Sequence, residues 1–464
     1  MRSIRSTLVF VSVAGLCAAA SAGPFGLISP IFSSIAGAPS NAVPGMGGLG
    51  FFSGTAVFER PYRSADGSRW VMRARSNNAT VNDWMIISGM GPSAAGAQVV
   101  LQEGQATPWD PNVNVETIVR RNVGINNNGD IAMVANTNGA TASDEHIVRR
   151  NASGTWDVIA REGDATPAGG AYGLTLDSAH ILNNGDVGFI NTSVTGLTTA
   201  TNAIAVRGGS LIAHKGVTIP GNQAGGATAA WQNFTTDEFY TSADGAHYML
   251  TGDTDDATTV DGVIVVDGQV VIQEGVTVLS GFSNPVSTTN REAFMMSNGD
   301  WYARGSNSTD NLDWVVQNGN VIARTGDTIT GSTSERFSDT AGFTATFFFM
   351  AGDNNGNYVV GGVTDAADPS ANAVLIYNGT TELIREGAMV DINGDGLMND
   401  DAFVSVFNND DGFLTDDGHF YFTADLRDAT GATIGQAFLV MQVPAPSGAL
   451  VLGAAGLAAM RRRR

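Results

Sequence analysis

Apolar positions along this chain fall in short runs, many alternating with polar ones, and the runs are separated by Gly-containing turns. Alternation with a period of two marks strands with one buried face, because successive side chains point to opposite sides. One apolar run recurs with a closing glycine: VVLQEG, VIAREG, LIAHKG, VVIQEG, VIARTG and ELIREG, with that glycine at 104, 163, 216, 275, 326 and 387. A second element is a turn followed by a strand, as in NNGDIAMVAN, NNGDVGFINT and SNGDWYARGS. Its glycine falls at 67, 129, 185, 245, 299, 356 and 418, which makes seven copies. Asn-Gly and Asp-Gly are hairpin signals, and a type I′ turn is expected at each because it suits residues with positive φ.

Two further strands complete each unit. One precedes the turn (FTATFFFM, 343–350), and the other precedes the Glu-Gly strand (GVIVVDGQ, 262–269). Four short antiparallel strands in a unit of roughly 57 residues, seven times over, predict an all-β, seven-bladed β-propeller. Tight hairpins should join strands within a blade, and the longer link after each Glu-Gly strand should cross to the next. The strand before the turn is then innermost and the Glu-Gly strand outermost. The last unit stops one strand short. The N-terminal stretch SSIAGAPSNAVPGMGGLGF resembles the strand-and-link DVIAREGDATPAGGAYGL, so Ile31–Gly37 is expected to complete blade seven and close the ring.

The ends read differently. Arg2 and Arg5 precede an apolar run from Leu8 to Ala20, and Ala20-Ser21-Ala22 is a small-residue cleavage site. Residues 1–22 therefore read as a secretory signal peptide, removed after Ala22. Cys17, the one cysteine, lies inside it, so the exported body, residues 23–443, has no disulfide and depends on its core. Residues 444–464 form a C-terminal segment. VPAP (Val443, Pro444, Ala445 and Pro446) leads into the uncharged stretch Ser447–Met460 and then Arg461, Arg462, Arg463 and Arg464. As a helix that stretch spans about 21 Å, short of the ~30 Å bilayer core, and four arginines would hold its end at the cytoplasmic side. Helices are expected at both termini, the signal peptide and this segment.

That three-part tail resembles the PEP-CTERM sorting signal of Gram-negative exosortase systems, with Ala445 standing where the family has Glu. The resemblance implies export through the inner membrane, a transient membrane tether, recognition by an exosortase-like sorting enzyme, and cell-surface or extracellular placement. The Glu-Gly-Asp and Asn-Asn-Gly-Asp repeats also resemble those of proteins carrying this tail.

The whole chain carries −21, with 45 acidic residues against 24 basic ones. Six arginines sit in the two terminal segments, so the body carries −27. A nucleic-acid partner needs a basic footprint and is excluded on this balance.

The most specific local motif is DINGDGLMNDD, 391–401. Asp391, Asn393 and Asp395 alternate, Gly396 permits a sharp turn, the Leu397 carbonyl follows, and Asn399 holds the ninth position. Oxygen donors so spaced can wrap Ca²⁺. The run resembles the first nine positions of a dockerin or EF-hand loop, but Ala402 replaces the closing acid. It is nearer the hairpin-loop calcium sites of integrin-like β-propellers. TGDTDD (251–256) and NNDD (408–411) lack the alternation and read as solvated loops. The Glu of the Glu-Gly pair (Glu103, Glu162, Glu274, Glu386) reads as a strand end. The histidines His146, His180, His214, His247 and His419 are scattered among the repeats, without a metal-ligand or triad spacing. The tryptophans are expected to pack between blades. These features favour a non-catalytic surface or matrix protein; a propeller enzyme acting on extracellular polysaccharide is the alternative.

Overall fold

The computed structural model describes residues 26–307, 309–329, 334–338 and 345–444, apart from the side chains of 120–122 and 288–291. Residues 1–22 and most of the C-terminal segment, with the helices expected there, lie outside the described residues. The strands form seven four-stranded antiparallel sheets. Six are simple meanders: residues 58–102 hold blade 1, 115–161 blade 2, 176–214 blade 3, 239–273 blade 4, 288–324 blade 5 and 347–385 blade 6. Blade 7 takes three strands from 403–442 and its fourth from Ser29–Ser33. That strand pairs antiparallel with Thr433–Gln442, Ser29 opposite Val440 and Ser33 opposite Ala437. Closure by an N-terminal strand is therefore as expected, but the strand begins two residues earlier than Ile31 and ends at Ser33.

The seven innermost strands are Phe58–Arg63, Val115–Ile125, Leu176–Ile181, Phe239–Thr241, Thr288–Met295, Phe347–Gly352 and Phe403–Leu414. Each is the strand before the repeated turn, as the link lengths implied.

The repeated turns are not type I′. The residue before each glycine keeps negative φ, and only the glycine is left-handed, as at Gly67 (φ 71°) and Gly185 (φ 88°). The Gly67 N–H donates to the Ser64 carbonyl at 3.0 Å. This is a type I turn followed by a left-handed glycine, a hairpin form that three loop residues permit. Type I′ geometry occurs instead at the outer hairpins, where Asp267 and Gly268, Asn318 and Gly319, and Asn378 and Gly379 all have positive φ.

The glycine of the Glu-Gly element joins the blades. The N–H groups of Gly104, Gly163, Gly216, Gly275, Gly326 and Gly387 donate to carbonyls entering the next blade (Val115, Tyr172, Trp231, Val286, Phe337 and Val404) at 2.7–2.8 Å. Glu103 does the same with its side chain, accepting from the Ile118 N–H at 3.0 Å. Burial between blades supplies the core: Trp70, Trp231 and Trp314 are fully enclosed, as expected. Trp70 and Trp314 each lie over a glycine on the neighbouring strand. A Cβ on Gly89 or Gly305 would come within 2.1 or 2.4 Å of those rings.

Candidate functional site

The seven inner strands converge on the axis, so that is where distant residues meet. At one mouth the repeated turns ring it. Asp66 N–H donates to Asn127 Oδ1 (2.9 Å), Asn127 N–H to Asn183 Oδ1 (3.1 Å), and Asn183 N–H to the Ala243 carbonyl (3.0 Å). Ala243 N–H donates to the Ser297 carbonyl (3.0 Å), Ser297 Oγ to Asn354 Oδ1 (2.6 Å), and Asn354 N–H to Asp416 Oδ1 (3.0 Å). Arg63 Nη1 donates to the same Asp416 oxygen at 3.2 Å, returning to blade 1. Asn354 also reaches past blade 7 to the Ala65 carbonyl at 2.8 Å. The second residue of each turn thus forms a belt around the axis. The side chains of these turns pair with backbone groups of the neighbouring turns, so half-buried N–H and carbonyl groups at this mouth find partners within the protein.

Behind the belt lies a cavity of about 190 Å³, walled by Val123, Ile125, Phe239, Met295, Met350 and Phe413 among others. Its far side is a layer of charge. The pairing register slips in the inner strands of blades 1, 2, 3, 5, 6 and 7, between Glu59 and Tyr62 in blade 1 and between Phe407 and Gly412 in blade 7. Such bulges leave extra residues outside the ladder and re-aim side chains. Here they accompany a buried set of ionisable groups. Arg60 meets Glu292 at 2.6 Å, both less than a tenth exposed. Arg304 donates Nη1 to the Phe347 carbonyl at 2.9 Å and Nη2 to Asp410. Glu238, at the entry to the inner strand of blade 4, accepts from Thr251 Oγ1.

Burial and then the neighbouring Glu292 charge push the Glu238 carboxyl up to about 8. Burial likewise raises Asp410, against the pull of Arg304 and Arg60. Tyr240 stays a neutral phenol for the same reason, and among the described residues its hydroxyl has no hydrogen-bond partner. Burial lowers Arg60, but Glu292 and the other surrounding groups outweigh it and hold the guanidinium charged. Paired charges of this kind satisfy one another, and they cost much if one partner is removed.

A pH dependence follows. An acid whose folded pKa is raised stabilises the fold, relative to its ionised state, below the unfolded value. That contribution is lost as pH rises through the folded value. Glu145, raised by burial to about 7, and Glu238, raised to about 8, should therefore make the melting temperature fall between about pH 5 and 9. Glu238→Gln should flatten the upper part of that fall and melt higher than the parent at pH 8.5. Equal slopes for the two proteins by scanning calorimetry would rule this out.

None of these axial residues was singled out from the sequence. The NNDD run is the plainest correction: it is not a solvated loop. Asp410 and Asp411 are each 5 % exposed, inside the inner strand of blade 7, with Asp410 at φ 54°. The TGDTDD run is not simply a solvated loop either: Thr251–Asp253 end a strand of blade 4, Thr251 and Thr254 are buried, and Asp255, beyond them, accepts from the Ala230 N–H at 2.7 Å. Of the histidines, only His180 reaches the axial wall. Its ring packs edge-on to Phe239, and burial lowers it to about 4, so it is neutral.

The 391–401 loop lies in the link before blade 7. Asp391 is buried, and its two carboxylate oxygens accept three backbone N–H groups, from Gly394 (2.9 Å), Asp395 (3.1 Å) and Gly396 (3.0 Å). Asp395 Oδ1 accepts from the Leu397 N–H at 2.8 Å. Asn393 is held by Asp400, its Nδ2 donating at 2.7 Å. The Asp391 N–H donates to the Ile28 carbonyl at 3.0 Å, so this loop is tied to the residue preceding the closing strand. Among the described residues no three His, Cys, Asp or Glu side chains cluster as a metal-binding group. Of the tail motif, Val443 belongs to the body: it is 4 % exposed and its N–H donates to the Gly418 carbonyl at 2.8 Å. Pro446 and Arg461–Arg464 lie outside the described residues, as do Ala20 and Ala22. No helix among the described residues is long and apolar enough to cross a membrane.

No family model and no curated protein sequence matches the chain. Among solved structures it is similar to the Dos1 propeller at 8 % identity and a TM-score of 0.40, over 89 % of this chain and 95 % of that one. It is also similar to the polysaccharide lyase Uly1 at 14 % identity and a TM-score of 0.32, over 70 % and 90 % of the two chains. A third is the β-propeller domain of the Trilobed protease from Pyrococcus furiosus, 9 % identical with a TM-score of 0.28, over 82 % of each. The chain's own strand order carries the conclusion: seven four-stranded sheets, the last completed by an N-terminal strand, make it a seven-bladed β-propeller.

Proposed function

We propose that this chain is an exported, surface-sorted propeller with a non-catalytic binding or structural role at the cell surface or in the extracellular matrix. The observation that carries this reading is the state of the axis. A hydrogen-bonded belt rings one mouth, and the charges at the cavity are buried and paired with one another. Catalytic acids and bases must reach a substrate, whereas Arg60 with Glu292 ties the inner strands of blades 1 and 5, and Arg304 with Asp410 ties the second strand of blade 5 to the inner strand of blade 7. Export and sorting rest on the signal peptide and the Pro-x-Pro, apolar and arginine tail. Mass spectrometry of the protein recovered from its host should find an N-terminus at Gly23 and a C-terminus cut after Val443.

A second reading, a hydrolase or lyase acting on extracellular polysaccharide, is favoured by one observation. Glu238, an acid poised near neutrality, sits in the electrostatic environment of Arg60 and near Tyr240. Incubating the purified chain with a panel of polysaccharides and analysing the products separates the readings: release of oligosaccharides that Glu238→Gln abolishes would replace the first with the second.

The Asp391 loop we carry as a structural Ca²⁺ site that stiffens the approach to the closing strand. Calorimetric titration with Ca²⁺ should give heat that Asp391→Ala with Asp395→Ala removes, and equal heats would sink the site. Asp391→Ala should in any case cost about 1–3 kcal/mol, because three backbone N–H groups lose their acceptor.

A further inference from the structure

Another cleft lies away from the axis. It lies between blades 1 and 2, on the face opposite the turn belt, with a volume of about 610 Å³. Trp84 forms its apolar wall. The Arg73 guanidinium lies 3.6 Å from the centre of that indole and is held there by Glu59 at 2.8 Å. Around the wall stand Thr80, Asn82, Glu116, Thr117 and Asn138. Glu116 and Thr117 are exposed on the rim. The Arg73 charge is spent on Glu59 and on the indole, and Glu103 in the same cleft is tied to the Ile118 N–H.

We propose that this cleft is a binding subsite for an uncharged glycan; the proposal rests on, and narrows, the reading of a non-catalytic surface binder. A glycan offers apolar C–H faces and a ring of hydroxyls. An indole presented beside amide, hydroxyl and carboxylate groups answers both, since an aromatic wall with a few convergent polar groups is how concave sites recognise such ligands. Charge selects within that class. The rim adds Glu116, Arg73 is neutralised by Glu59, and the body carries −27, so a polyuronate would be repelled. Trp84 is peculiar to this cleft: its carbonyl accepts from the Glu103 N–H, and the residue that accepts from the equivalent N–H is Glu145 in blade 2, Ala203 in blade 3, Gly262 in blade 4, Asp313 in blade 5 and Ala373 in blade 6.

The test is affinity electrophoresis of the purified chain through gels containing dextran, mannan, xylan or amylose, with alginate and polygalacturonate as acidic probes. At least one neutral polymer should retard the chain and neither acidic one should. Trp84→Ala should weaken that binding about tenfold or more. Because Trp84→Ala removes packing as well, Thr117→Lys serves as a second variant that fills the cleft from an exposed position and should weaken binding as much. Met90→Ala, exposed at the far end of the strand that Trp84 begins, should bind as the parent does. Binding of a neutral polymer untouched by Trp84→Ala and Thr117→Lys overturns the cleft and leaves the surface-binder reading standing. Retardation by no polymer, or by the acidic ones in preference, overturns the cleft as a neutral-glycan subsite. Release of products with the Trp84 effect intact keeps the cleft and overturns the non-catalytic reading.

Discussion

A chain lacking residues 24–40 should lose its single cooperative unfolding transition and melt far below the intact protein. Ser29–Ser33 supplies the outer strand of blade 7, and its side chains are not peripheral: Ile31 and Phe32 are 2 % and 1 % exposed. The Phe32 ring lies 5.1 Å from Phe51, 6.4 Å from Phe58 and 5.8 Å from Trp70, which ties the closing strand to the core between blades 7 and 1. Gln436 adds a polar tie, accepting from the Val57 and Phe58 N–H groups at 2.9 and 2.7 Å while its own N–H donates to Ser34 Oγ at 2.8 Å. Phe32→Ala alone should cost about 3–5 kcal/mol, the usual range for emptying a phenylalanine site. Calorimetry and urea titration with two probes would check both. An unchanged melting temperature in the deletion would mean that the ring does not depend on its closure.

The second large effect is expected at the axis. Asp410→Ala should destabilise the protein by about 3–5 kcal/mol, because it leaves the Arg304 guanidinium buried without its carboxylate. Asp410→Ala combined with Arg304→Met should recover much of that loss, since the pair's own desolvation cost disappears with it. A double substitution as damaging as the single one would mean that Arg304 is held chiefly by the Phe347 carbonyl. If Asp410→Ala costs less than about 1 kcal/mol, the charge layer is hydrated and the account of a buried, paired layer fails.

The blades were legible because each repeats two features with a strict backbone cause. Glycine is the residue that adopts the left-handed backbone most freely, and both the repeated turn and the link to the next blade place a left-handed residue at a fixed point. The missing outer strand was legible for a related reason, since the N-terminal link resembles the other links. The turn type was misread because Asn-Gly marks two hairpin geometries, and what separates them is the number of loop residues, not the dipeptide. The axial layer was not legible at all. Arg60 and Glu292 belong to blades 1 and 5, and Arg304 and Asp410 to blades 5 and 7, so no local spacing relates them. Each also lies at or beside a register slip, where the alternation that identifies buried faces is broken. Asp410 and Asp411 looked like a solvated turn because composition cannot tell a bulge in an inner strand from a loop. Trp84 shares its residue type with the tryptophans that pack between blades, and its place at a cleft depends on which strand begins with it.

The closing strand has a consequence for how the molecule is made. Ser29–Ser33 is among the first parts of the body to leave the ribosome, yet its partner, Ala437–Val440, is among the last. Until that late stretch arrives, the early strand has no docking edge of its own. Once it arrives, the edge of Thr433–Gln442 is open to the early strand of any neighbouring copy as well as its own. Crowded synthesis should therefore favour strand-exchanged assemblies, in which one ring is latched by another's N-terminus, and dilution during refolding should favour self-latched monomers.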